Sequence, residues 1–437
     1  MRLGLPILVA QLGMIVVGFA DTIMVGRYST EALASASFVN NVFNTALLCC
    51  IGFTYGILPL VGALFAQGSK RRIGALMLNA VTVNIAFSLI VTAVMAVLYL
   101  NLEHLGQPAE LLPLIRPYYL LYLGGLLPVA IYNVFVQWSY GINNTVMPMW
   151  IILIANVVNV VGNYMLIYGA WGMPEMGLTG AGISTLVARL ICPVAIMAWF
   201  FLTKRNREYG EGFRSGGLSH ESLRLVAKTS FPVSMQMSFE TAAFSVSAIM
   251  AGWIGAVPLA AFQIIVIVGQ LGFMLYYAIG AATAVLVSNE AGHSSCSGMR
   301  RAGWSGYHVM LLLALFSTVI FVLFARPLMH LFTEDEAVLG TALTLIVPLV
   351  AYQLGDATQV TFANALRGTS HVMPMLWIAF VSYIVVGIPS TYLMAFTFGM
   401  GIYGIVLSFS VSLFLAGALF LTFFLRSTRH KNIIYNE

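Results

Sequence analysis

Long apolar stretches alternate with short polar breaks along the whole chain. Stretches long enough to cross a bilayer as helices fall near 5–26, 38–66, 74–99, 113–138, 145–169 and 178–203. A polar segment, TKRNREYGEGFRSGGLSHE, follows at 203–221. Six more apolar stretches lie near 224–253, 258–287, 303–325, 340–365, 374–398 and 403–425. The pattern predicts an all-α integral membrane protein with twelve transmembrane helices in two six-helix bundles. The bundles are expected at 1–203 and 223–425, with a cytoplasmic linker at 204–222 and a cytoplasmic tail at 426–437. The first stretch, MRLGLPILVAQLGMIVVGFADT, has the lone arginine, apolar centre and small residues of a signal peptide. It is also long enough to span, and the same pattern continues after it, so it is read as the first transmembrane helix.

The two halves repeat at an offset of 226 residues. Pro6 falls on Pro232, IMVG at 23–26 on IMAG at 249–252, and VMPM at 146–149 on VMPM at 372–375. With small shifts KRRIG (70–74) matches MRRAG (299–303), and EMGLTG (175–180) matches GMGIYG (399–404). Chance apolar similarity does not give an ordered series at a nearly constant offset. Each repeat holds an even number of spans, so both halves face the same way. This predicts parallel bundles about an axis along the membrane normal, with a cavity between them, as suits a transporter.

Composition agrees with the pattern. The chain is 60% hydrophobic and 8% charged, where soluble domains carry about 25% charged residues. A net charge of +5 could suggest a nucleic-acid binder, but in a membrane protein basic residues first report topology. Sixteen of the twenty lysines and arginines fall on one side of the predicted spans, including Arg2, Lys70–Arg72, Lys204–Arg207, Arg300, Arg301, Arg367 and Lys431. Arg27, Arg116 and Arg326 fall on the other side, and Arg189 lies within a span. Both termini are therefore expected to be cytoplasmic. The four cysteines, Cys49, Cys50, Cys192 and Cys296, have neither metal-site nor disulfide spacing.

Three of the fifteen acidic residues sit inside spans: Asp21, Glu240 and Asp356. A charge at the bilayer centre costs from about 3 to more than 10 kcal/mol, so each needs a partner or a use. With Arg189 as the one intramembrane base, at least two of the carboxylates must hold a proton or bind a cation. Arg189 is expected to pair with backbone or with an acid of its own half. Glu240 and Asp356, both near mid-span, are expected to share a cation site, and Tyr352, one turn before Asp356, could add a hydroxyl to it. If sodium is the ion, Glu240 and Asp356 are its ligands. Asp21 lies close to the end of its span and could also be a helix-end residue. Asn156, Asn159 and Asn163 share one helical face. They read equally as interhelical glue or as a polar pocket facing Asp21. The remaining intramembrane Asn and Gln, such as Gln137 and Gln270, are too scattered to assign.

No nucleotide-binding loop of the G-x-x-x-x-G-K-[ST] type and no hydrolytic H-E-x-x-H pattern occurs. The chain is therefore not expected to be an enzyme or to need a cofactor, and an ion gradient is left as its energy source.

FADTIMVG in the first span, FPVSMQMSFE in the seventh and YQLGDATQVTFANALRG in the tenth resemble the multidrug and toxic compound extrusion (MATE) transporters. The resemblance covers nearly the whole chain, and the acid eight residues after the proline of the seventh span points to the NorM-like branch. It implies that Glu240 and Asp356 belong to a cation site in the C-terminal lobe. It implies that Asp21, with Asn159 and Asn163, belongs to a proton- and drug-linked site in the N-terminal lobe. In some relatives the Asn163 position is an aspartate. Pro6 would mark a helix that can bend. The expected function is a cation-coupled antiporter, using Na⁺ or H⁺, that exports amphipathic organic cations. Its partners would be cationic drugs or dyes and membrane lipid, with no nucleic acid, and it would work as a monomer in a bacterial inner membrane. The alternative is a lipid-linked oligosaccharide flippase or polysaccharide exporter of the same superfamily, for which one intramembrane arginine is few.

Overall fold

A computed structural model describes residues 3–105 and 108–429. Arg2, Lys431 and the tail beyond residue 429 lie outside the described residues. Among the described residues the fold is helical throughout, with no strand. Eleven helices are continuous and apolar enough to span, and a bent pair supplies a twelfth. The first six are α1 (Gly4–Tyr28), α2 (Thr30–Ala66), α3 (Lys70–Leu100), α4 (Leu112–Gly141), α5 (Val146–Tyr168) and α6 (Gly177–Leu202). The second six are α7 (His220–Ile254), α8 (Ala256–Gly292), α9 (Cys296–Leu323), α10, α11 (Met373–Thr397) and α12 (Gly401–Ser427). Helix α10 is the bent pair, Glu336–Thr344 and Ile346–Gly368, which meet at 49°.

Several helices start earlier than their apolar stretch. Polar caps and charged first turns carry them beyond the bilayer core. Ser29 accepts the amides of Glu31 and Ala32 and so opens α2 at Thr30 instead of residue 38. Ser295 does the same for Gly298 at the start of α9. Pro6 lies in the first turn of α1, where a missing N–H leaves no intrahelical bond unmade. The helix runs through it unbroken. Exposed Leu5, Leu12, Val16, Phe19 and Ile23 form one face of α1, suited to lipid rather than water. All four cysteines are free.

The chain forms two compact units, one ending at Ser234 and the other beginning at Met235. In the N-terminal unit α1 packs on α5, α4 and α5 pack on α6, and α2 and α3 pack on α4. Phe43 of α2 sits edge-on to Tyr119 and Tyr122 of α4, with ring centroids 4.7 and 5.5 Å apart. Small residues let α5 and α6 touch: a Cβ on Gly162 would lie 2.5 Å from Ser184 Oγ. The first turns of α7 also belong to this unit. Ser234 donates to the Cys49 carbonyl at 2.9 Å, and a Cβ on Gly56 would crowd the Ser230 backbone at 2.5 Å.

Within the segment read as a linker, Arg207–Ser215 forms a helix docked on the start of α3. Gly74 and Gly212 bring the two backbones together, since a Cβ on either would run into a carbonyl of the other helix. Lys70–Glu208 (2.8 Å), Arg71–Glu211 (3.1 Å) and Arg207–Glu211 (2.9 Å) ring this contact. The two arginines beside Glu211 hold its carboxyl below the ordinary 4.5. Burial pushes the Tyr209 hydroxyl up to about 12.

In the C-terminal unit α10 is central, packed on α8, α9 and α12. Phe244 of α7 stacks on Phe409 of α12 at 4.4 Å. Helix α11 widens into π-helical turns at Phe380–Gly387 and Leu393–Thr397. Such wide turns are rare and often lie at functional sites.

Candidate functional site

The intramembrane acids fall into two polar groups, one in each unit. In the N-terminal unit, Asn163 on α5 donates its side-chain amide to Asp21 Oδ1 on α1. Asn159, one turn earlier on the same face, faces Asp21 as well. With its amide oriented to satisfy both ends, its nitrogen donates to Asp21 Oδ1 at 2.9 Å and its oxygen accepts from Thr185 on α6. Ser184 fixes the α5–α6 register by donating to the Asn159 carbonyl at 2.7 Å. Asn156 is not brought into this set. Its nitrogen lies against Gly13 and has no hydrogen-bond partner, about 12 Å along α1 from Asp21. Arg189 on α6 lies within electrostatic reach of Asp21, with its guanidinium 4.3 Å above the Tyr122 ring.

The C-terminal group gathers both remaining acids. Glu240 on α7 accepts from Gln236, one turn before it, at 2.9 Å. Asp356 on α10 is buried, and its Oδ2 has no hydrogen-bond partner. The two carboxylates are within electrostatic reach of each other, and Tyr352 is within reach of both. Among the described residues neither acid has a lysine or arginine beside it. Tyr276 of α8 and Tyr383 of α11 join the group. Gln353 Oε1 and Gln359 Oε1 are buried without a hydrogen-bond partner, while the Tyr276 hydroxyl lies beside Ser317 and the Tyr383 hydroxyl beside Gln359. Buried polar atoms are normally paired within the protein or by water or ions. Buried oxygens grouped with two acids make a donor set suited to a hard cation. A small cavity lined by Phe244, Ser247, Tyr383, Thr391 and Ser412 adjoins the group. Ser247 is the repeat counterpart of Asp21 at the 226-residue offset.

Tyr276, Tyr383, Gln236, Gln353 and Gln359 carry no motif that singles them out in the sequence. The one available signal was their spacing to the acids on the same helix, four residues for Gln236 to Glu240 and three for Gln353 and Gln359 to Asp356.

A sequence model of the MatE family matches residues 6–165 and again residues 232–393. The chain belongs to the MatE family. The second match starts 226 residues after the first, the offset of the internal repeat, so each six-helix half of this MatE protein carries one family unit. The multidrug resistance protein NorM of Photobacterium profundum is 26% identical over 401 residues, covering 91% of this chain and 87% of its own. The multidrug resistance protein MdtK of Pectobacterium atrosepticum is 28% identical over 407 residues, covering 90% and 87%. A solved outward-facing multidrug resistance MATE transporter of the MOP superfamily superposes with a TM-score of 0.88 at 18% identity, covering 98% of this chain and 94% of that one. It shares the fold. A model of the lipid II flippase MurJ matches the shorter stretch 115–241.

Proposed function

We propose that this MatE protein is a cation-coupled antiporter that exports amphipathic organic cations, with Na⁺ or H⁺ as the coupling ion. The observation that carries the reading is the C-terminal group: Glu240 and Asp356 within electrostatic reach, without a basic partner among the described residues, beside buried oxygens. Two acids held together in a poorly solvated site favour uptake of a positive charge. A cation moving inward down the membrane potential gains about 2.3 kcal/mol per charge per 100 mV. In this reading Glu240, Asp356 and Tyr352 hold the coupling cation, and Asp21 with Asn159 and Asn163 forms the proton- and substrate-linked pocket. Apolar, polarisable walls rich in Met and aromatic side chains would take many shapes of organic cation, while the acids offset its charge. The names of the NorM and MdtK relatives support multidrug export. The bias of basic residues supports cytoplasmic termini, with the linker helix on the cytoplasmic side. It would act as a monomer in a bacterial inner membrane.

A flippase for lipid-linked oligosaccharide is the second reading, favoured by the MurJ match over 115–241. A pyrophosphate-bearing lipid calls for several basic side chains, and Arg189 is the one arginine in mid-span. The deciding experiment is paired efflux of ethidium and an anionic dye of similar size from cells lacking their own pumps. Export of ethidium that stops when the Na⁺ and H⁺ gradients collapse is expected. Equal export of both dyes, or export indifferent to the gradients, overturns the antiporter reading.

A further inference from the structure

The carboxylates and amides of the N-terminal pocket have their roles in the reading above, but Arg189 has none. It sits four residues after Thr185 on α6, on the face that meets Asn159. A niche is built for it. Gly125 on α4 leaves the room, since a Cβ there would lie 2.8 Å from Arg189 Cδ and Nη1. The guanidinium lies over the Tyr122 ring at 4.3 Å, a cation–π contact. Its Nη1 is nonetheless buried without a hydrogen-bond partner. Asp21 is an acid within electrostatic reach of it, and the two make no direct ion pair. Around the two, α4 presents the hydroxyls of Tyr118 and Tyr122, α5 the amides of Asn159 and Asn163, and α6 Thr185. The pocket therefore holds one acid and one fixed base, and the amide at Asn163 adds no second charge.

We propose that Arg189 is the fixed counter-charge of Asp21: the pocket is neutral while Asp21 is ionised and becomes net positive when Asp21 takes up a proton, which expels a bound organic cation. The proposal rests on the antiporter reading for its substrate, and makes Arg189 a positioning residue that acts through Asp21. An arginine that cannot lose its proton suits this task better than a titrating group. Protonation of Asp21 and the substitution Asp21→Asn then have the same effect on the pocket's charge.

The test is a cycle of Asp21→Asn, Arg189→Gln and Arg189→Lys on the full-length protein in lipid nanodiscs, read by ethidium binding and by thermal melting. Asp21→Asn alone is expected to weaken ethidium binding about tenfold or more. Adding Arg189→Gln should restore most of that binding, because the pocket is neutral again, whereas adding Arg189→Lys should not. Melting should follow the same order, since Asp21→Asn strands a buried charge that Arg189→Gln removes. A merely structural arginine gives additive losses in both readouts, and that result overturns the proposal, as does equal rescue by lysine and glutamine. If the wild-type protein fails to bind ethidium, the multidrug reading falls, and the melting cycle still decides the role of Arg189.

Discussion

Asn163 donates its side-chain amide to Asp21 Oδ1 and thereby ties α5 to α1 across the N-terminal unit. The bond is charge-assisted when Asp21 is ionised and therefore stronger than a neutral one. It holds the acid where Asn159 also faces it and Arg189 is within electrostatic reach. Asp21→Asn keeps the shape and removes the charge. It should cut ethidium efflux about tenfold or more while Na⁺ binding to the purified protein stays within error of wild type. Loss of Na⁺ binding together with efflux would show that one site, and not two, does the work.

Glu240 and Asp356 lie among oxygens and not among bases. Glu240→Gln or Asp356→Asn removes one of two charges that attract the coupling ion, with almost no change in volume. Each variant should insert and fold, judged by yield and melting temperature, yet lose gradient-driven efflux. Wild-type efflux from either would remove the acids from the coupling mechanism.

Much of this was legible in the sequence because a bilayer forces simple patterns. Twelve spans follow from apolar length alone, and the repeat offset of 226 reappears as the spacing of two family units. The acids stood out because carboxylates in apolar helices are costly, and the i, i+4 pair Asn159 and Asn163 pointed to a face that does meet Asp21. What stayed hidden depends on packing between distant helices. Tyr383 and Tyr276 look like any aromatic residue until α10 packs on α8 and α12 and α11 packs on α12, and Asn156 shares a face with its neighbours yet meets a different level of α1. Helix ends at Thr30 and Cys296 were missed because hydropathy measures the bilayer core, and capped polar turns extend past it. The docked helix Arg207–Ser215 lies in the polar segment expected as a linker, and two glycines in nine residues oppose helix formation in isolation. Here they are what permits the close contact with α3.

The π-helical turns of α11 bring the Tyr383 hydroxyl, beside Gln359, into the group of the two acids. If that hydroxyl helps hold the coupling ion, Tyr383→Phe should raise the half-saturating Na⁺ concentration about fivefold, the worth of one polar contact near 1 kcal/mol. The ring stays in place, so melting without Na⁺ should fall by no more than the loss of the one contact with Gln359. Unaltered Na⁺ dependence in a correctly folded variant would limit Tyr383 to packing.

The linker helix offers a test outside the membrane. Gly212 meets the Arg71 carbonyl so closely that one methyl group cannot be added without moving a backbone. Gly212→Ala should therefore destabilise the docked helix by about 1–3 kcal/mol, the usual cost of overpacking. Faster trypsin cleavage within residues 204–214 would report it, and an unchanged cleavage rate would mean that the contact is not needed for docking. Charge adds a pH dependence whose sign is fixed. Arg207 and Arg71 hold the Glu211 carboxyl below 4.5, so folding binds fewer protons there than the unfolded chain does. The stabilisation from Glu211 is present above about pH 4.5 and is lost as pH falls through its lowered folded value. Protection of the linker should decline over that acidic range in the wild type, using an acid-active protease such as pepsin. Glu211→Gln should lose this component of the decline, since the amide does not titrate. A decline identical in the variant would show that Glu211 does not carry the acid sensitivity.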